Sequence, residues 1–159
     1  MPKTVEDSRT TMTEIVFPND VNNHGTLYGG RLLDWIDAIA GIVAKRHCRS
    51  GVVTASIDSL NFLNPIRQRD IVNLESWVNY VGRTSMEIEV RVTSENPISG
   101  ERRKTCRAFL TYVAVDSNGH PIEVPRLELR NEEEESRAIL AKKRREERLR
   151  LLDLEPTEW

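Results

Sequence analysis

The residues best suited to chemistry lie in one short stretch, HGTLYGGRLLDWIDAIAG, residues 24–41. From Leu32 to Ala44 it reads as a helix that is apolar except at Asp34 and Asp37, and seven uncharged residues, Ala38 to Ala44, follow Asp37. Such a pattern predicts a helix buried on every side. An ionised carboxylate on a buried helix is costly unless it is paired or put to use. Just upstream, Gly29 and Gly30 let a ligand come close to the backbone where a helix amino end has free N–H groups. The loop before them carries Asn22 and His24.

A carboxylate in this setting can act as general base on water or as a nucleophile through a mixed anhydride. A helix amino end can hold a polarised carbonyl oxygen. Together they suit acyl transfer to water, above all from a thioester, whose thiolate departs with little help from a proton. A plainer reading stands beside this one. Asp37 follows Asp34 by three residues, about 300° round the helix, so both acids could share one solvent-facing edge, and paired glycines also mark tight helix entries.

Other chemistries find no footing. The histidines, His24, His47 and His120, are far apart, and the two cysteines, Cys48 and Cys106, form neither a CxxC pair nor a disulfide framework. No metal-ligand spacing, nucleophile elbow or phosphate-binding loop is present.

The elements that must position these residues follow from hydrophobic periodicity. Residues 12–17 (MTEIVF) read as a strand stopped by Pro18-Asn19-Asp20, and the helix runs from about Gly30 to His47, with Arg46 and His47 suiting its carboxyl-terminal dipole. Beyond Ser50-Gly51 the period changes from 3.6 to 2. Strands are predicted over 52–62, 71–81, 85–95 and 103–116. In the third of these, Met86, Ile88, Val90 and Val92 face one way and Glu87, Glu89 and Arg91 the other. One helix and a run of antiparallel strands make an α+β fold, with a sheet wrapped around the helix.

Three regions are expected along the 159 residues: a polar, mobile stretch at 1–10, a single domain at 11–128, and a charged helical tail at 129–159. In the tail, NEEEESRAILAKKRREERLRLLDL places acids before bases, Asn131 and Glu134 have the spacing of a capping box, and Glu146 and Arg150 pair at i,i+4. It reads as a solvated helix, or one resting on a neighbouring subunit through Ile139, Leu140, Leu149 and Leu152. The basic run Lys142 to Arg145 is followed at once by Glu146 and Glu147, and with a formal net charge of -2 it argues against nucleic-acid binding. No bilayer-spanning or secretory segment is expected, which makes the cytoplasm the default compartment.

The order N-x-H-G-x-x-x-G-G-x-x-x-x-x-x-D, Asn22 through Asp37, resembles the hotdog-fold acyl-CoA thioesterases, in particular the bacterial broad-specificity enzymes and the brain-type cytosolic acyl-CoA hydrolases. The likeness continues through DAIAGIVAKRHC, VVTASIDSLNF, GRTSMEIEV and FLTYVAVDSNGHPIEVP, covering about residues 12–127. It implies a hotdog fold, one long helix wrapped by an antiparallel sheet, and hydrolysis of acyl-CoA to a carboxylic acid and CoA without metal or cofactor. By the same resemblance Asp37 is the base or nucleophile, and Asn22 completes the site from the partner subunit of a dimer. Amides near Gly29 and Gly30 hold the thioester oxygen, His24 orients or contacts substrate, and Arg83 and Ser85 bind CoA phosphates. It further implies dimers joined sheet edge to sheet edge and assembled into a homohexamer. A hydratase or dehydratase using His24 on the same fold, and a non-catalytic acyl-CoA-binding regulatory domain, are the competing readings.

Overall fold

Helix α1 spans Gly29–Cys48 and stops where Arg49 turns left-handed (φ 52), its N–H bonding the Lys45 carbonyl at 2.8 Å. Leu32, Ile36, Ile39, Ala40, Val43, Ala44 and His47 are buried along one face. The opposite face is not covered: Asp34, Ala38 and Ile42 are exposed. The expectation of burial all round is therefore corrected. One sheet covers one side of a helix, and the remaining apolar side is left bare in a single chain. The computed structural model, which describes residues 1–154, also corrects the role of His47: it is fully buried rather than a solvated cation at the helix end.

The sheet has five antiparallel strands, β2 (Thr10–Ile15), β3 (Gly51–Phe62), β4 (Ile71–Val81), β5 (Ser85–Glu95) and β6 (Arg102–Val115), in the order β2-β4-β5-β6-β3. Strand alternation works as the sequence predicts. Met86, Ile88, Val90 and Val92 join the core against α1 with Leu74, Val78, Leu110 and Ala108. Strand β3 pairs only with β6 among the described residues, so its outer edge is unpaired along 12 residues, with Val53, Ile57 and Phe62 exposed on it. Residues 1–10, expected to be mobile, are instead held. The short strand β1 (Lys3–Thr4) runs parallel to β7 (Leu127–Glu128), and Val5 and Ser8 are buried.

The tail forms helix α2 (Glu132–Leu154); residues 155–159 of the predicted tail lie outside the described residues. Its cap is the predicted one in part: the Glu134 N–H donates to Asn131 Oδ1 at 2.9 Å, while the Glu134 carboxylate accepts from Arg130 N–H at 2.8 Å, one residue earlier than a standard capping box. Arg150 pairs with Glu147 rather than with Glu146. The larger correction concerns what α2 touches. It lies across the outer face of its own sheet through Arg137, Ala141, Arg144 and Arg148, which recur at helical spacing. Arg137 stacks over Trp77, and Arg144 stacks 3.7 Å over Phe109 while holding Glu87 at 2.7 and 3.1 Å. Arg148 reaches Asp58 of β3 at 2.7 Å.

The reason lies in the sheet. Its outer face carries Glu87 and Glu89, both buried and both accepting from Asn79, so its complement is a row of arginines and not of leucines. Ile139, Leu140, Leu149 and Leu152 stay exposed.

Candidate active site

Asp37 lies on the helix margin between the buried and the bare face, half-buried, whereas Asp34 is exposed and 3.7 Å from Arg31. Two strands reach it. Thr54 of β3 and Tyr112 of β6 are register partners, so both project toward α1 from adjacent strands. Thr54 Oγ1 donates to Asp37 Oδ1 at 3.0 Å. The Tyr112 hydroxyl makes a short contact with the same Oδ1 and lies 2.8 Å from the Asp37 carbonyl oxygen. A phenol has one proton to give, and the charged oxygen at the shorter distance is the stronger acceptor. Burial pushes the Tyr112 phenol far above its ordinary range, and the neighbouring Asp37 carboxylate pushes it the same way, so Tyr112 is a neutral donor. Both donors converge on Oδ1. Oδ2 has none among the described residues, which orients it as the oxygen free to meet water or an acyl carbon.

The helix start is the second half of the candidate machinery. Tyr28 caps α1 in an extended conformation without a side-chain bond, and the Gly29 and Gly30 N–H groups find no acceptor among the described residues. A Cβ on Gly30 would stand 2.6 Å from the Tyr28 ring, so glycine lets that ring lie over the helix entry. Asn22 shapes the preceding loop: its Oδ1 accepts from His24 N–H at 2.9 Å and Thr26 N–H at 3.2 Å, and its amide donates to Thr26 Oγ1 at 2.9 Å. His24 is exposed, and its imidazole has no bonded partner among the described residues.

These two halves do not meet within one chain. Gly29 precedes Asp37 by eight residues, about 12 Å along the helix axis, too far for both to touch one thioester carbonyl. The sequence reading of an acid beside a donor-rich helix start is corrected in that respect.

Arg83 and Ser85 lie at the turn between β4 and β5, where Gly82 N–H donates to the Ser85 carbonyl at 2.8 Å. Met86, next in sequence, is the register partner of Tyr112, so the turn lies at the same end of the sheet as Asp37. Thr54 and Tyr112 were not singled out in the sequence. A threonine and a tyrosine within strands fit ordinary strand composition, and only the β3–β6 register brings them together. Among the described residues no group of His, Cys, Asp and Glu has the arrangement of a metal site.

The family model of the thioesterase superfamily matches residues 24–101. A Bacillus subtilis protein named as an acyl-CoA thioester hydrolase is 53% identical over 129 residues, 81% of this chain and 75% of its own. The rat cytosolic acyl coenzyme A thioester hydrolase is 37% identical over 138 residues, 86% of this chain; the chain spans only 36% of that relative's length. A crystal structure of an apo-hexameric acyl-CoA thioesterase superposes with a TM-score of 0.93 at 45% identity, covering 97% of this chain and 99% of that one. An acyl-CoA hydrolase of Staphylococcus aureus, solved with butyryl coenzyme A, coenzyme A and coenzyme A disulfide, gives 0.88 at 35% identity over 96% and 94% of the two chains. That hydrolase has been solved as alanine variants of one Asn, one Asp and one Thr, and the chain separations among those positions equal those among Asn22, Asp37 and Thr54.

Proposed function

The chain belongs to the acyl-CoA thioester hydrolases of the thioesterase superfamily, and on that premise we propose that it hydrolyses acyl-CoA to a free carboxylic acid and CoA, with Asp37 as the catalytic carboxylate. The observation that carries this reading is the asymmetric Asp37: Oδ1 held by Thr54 and Tyr112, Oδ2 without a donor. Amides of Gly29 and Gly30 hold the thioester carbonyl oxygen, and Oδ2 takes a proton from water as that water attacks the acyl carbon. The tetrahedral intermediate collapses with cleavage of the C–S bond, and the proton passes from Asp37 to the departing CoA thiolate. Direct attack by Oδ2, with water then cleaving the anhydride, uses the same geometry. Neither route calls for a metal or a cofactor, since CoA enters as part of the substrate.

A gap of about 12 Å within one chain supports a site shared between two copies. The amides and Asn22 must come from one copy, and Asp37, Thr54 and Tyr112 from another. The unpaired β3 edge and the bare face of α1 are the surfaces such a partner would cover, removing an edge open to aggregation. We place the chain in a dimer joined along β3 and assembled as a hexamer, in line with its hexameric structural relatives. In this site His24 contacts substrate, and Arg83 and Ser85 meet the CoA phosphates. We place residues 11–128 as the hydrolase domain. No described helix is long and apolar enough to cross a membrane, and the activity is assigned to the cytosol, as in the name of the rat relative.

Thioester absorbance tests the reaction: hydrolysis destroys the C–S bond, whereas hydration of an acyl chain preserves it. Asp37→Ala should abolish the absorbance loss while the oligomer remains intact, and full activity in that variant would remove Asp37 from the mechanism. Asn22→Ala and Asp37→Ala proteins, refolded as a mixture, should recover part of the activity that each lacks. No recovery would place the whole site in one chain.

A further inference from the structure

Helix α2 contains five arginines, Arg137, Arg144, Arg145, Arg148 and Arg150. Four have a carboxylate partner: Glu133, Glu87, Asp58 and Glu147 respectively. Arg145, half-buried, has none among the described residues. Its position is defined by the turn between β4 and β5. A Cβ built on Gly82 would stand 3.0 Å from Ser85 Oγ and 4.0 Å from Arg145 Nε, so hydroxyl and guanidinium both border the turn at this glycine. Arg83, exposed on the same turn, also lacks a carboxylate partner among the described residues, and neither Arg83 N–H nor Thr84 N–H has an acceptor there.

Two uncompensated guanidiniums, a free hydroxyl and unpartnered amides around one glycine form a donor set with no acceptor of its own. Every other arginine of α2 is matched to an acid, Arg144 and Arg148 to the sheet and Arg137 and Arg150 to α2 itself, so an unmatched one is informative. We infer that Arg145 of the C-terminal helix, together with Arg83 and Ser85, binds a phosphate group in the nucleotide half of CoA. The inference rests on the proposed acyl-CoA substrate. It gives α2 a part in substrate binding, beyond the region on which the family resemblance rests. Glycine suits position 82 because a side chain there would crowd the Ser85 hydroxyl.

Binding of free CoA to the full-length protein, measured by titration calorimetry, tests the site apart from catalysis. Arg145→Ala should weaken CoA binding about tenfold, the effect of losing one charge-assisted contact at a partly solvated site, whereas Arg145→Lys keeps part of it. Arg150→Ala, which alters a solvent-facing pair on the same helix, should bind as the wild type does. In turnover, Arg145→Ala should raise KM for acyl-CoA about tenfold with kcat held, and it should act on acyl-pantetheine, which has no nucleotide phosphates, as well as the wild type does. Unchanged CoA affinity, equal losses on acyl-CoA and acyl-pantetheine, or a change of oligomeric mass in Arg145→Ala would each overturn the inference. A protein that binds CoA through Arg145 but cleaves no thioester would refute the proposed hydrolysis and leave this site standing.

Discussion

Replacing Tyr112 by Phe removes one oxygen atom and leaves the ring in the core, so it isolates the donor to Asp37. The hydroxyl is buried and gives its proton to Oδ1, a charged acceptor. Hydrogen bonds to charged groups contribute about 1.5–3 kcal/mol. Asp37 is only half-buried, and Thr54 stays bonded to the same oxygen at 3.0 Å, so the lower half of that range applies. About 1.5–2 kcal/mol corresponds to a fall in kcat of roughly ten- to thirtyfold. Tyr112 acts through Asp37 and is a positioning residue, so KM should stay within about twofold. Thr54→Ala should cost less than Tyr112→Phe, because its bond is longer and solvent competes for it. The two losses should be less than additive, since both donors hold one oxygen. Steady-state kinetics on a short acyl-CoA, with urea denaturation to verify folding, gives these numbers. Wild-type kcat in a folded Tyr112→Phe protein would mean that the hydroxyl serves the Asp37 backbone carbonyl, 2.8 Å away, and that the orientation argument is wrong.

Three further outcomes follow from the packing. Arg144→Ala leaves Glu87 buried without its bidentate partner and removes the stacking on Phe109; urea unfolding should show a loss of about 2–4 kcal/mol, less than the full cost of a broken buried pair because Arg144 is partly solvated. Replacing Val53 and Ile57 on the open β3 edge by Glu should lower the oligomeric mass by light scattering and abolish activity; an active assembly of unchanged mass would exclude β3 pairing. His47 donates from Nε2 to the Pro125 carbonyl at 2.8 Å, and burial holds its pKa below 6.5. The unfolded chain therefore takes up a proton first as pH falls, and stability present above pH 6.5 is lost as pH drops through the folded-state value. His47→Gln should flatten that slope in urea midpoints measured from pH 8 downward, and an unchanged slope would show that other groups control it.

Periodicity alone placed α1 and the five sheet strands to within a few residues, because core-facing positions must be apolar and the period of 3.6 or 2 names the element. Asp37 was legible for the same reason, as a charge breaking an apolar run, and Gly29 and Gly30 as a helix entry. Three things were not. The arginine stripe of α2 is invisible to a search for apolar faces, since its complement is a set of acids on a sheet face whose burial depends on α2 itself. Thr54 and Tyr112 look like ordinary strand residues until the pairing of β3 with β6 sets them opposite each other. His47 reads as a terminal cation until Pro125 folds over it.

What the sequence determined by itself is therefore the elements, the acid and the family, each written in residue type and local spacing. What only the tertiary structure decided is which oxygen of Asp37 is free and which arginine of α2 is unmatched. Both depend on contacts between residues far apart in the chain, Asp37 with Thr54 and Tyr112 and Arg145 with the turn at Gly82, which local spacing does not encode.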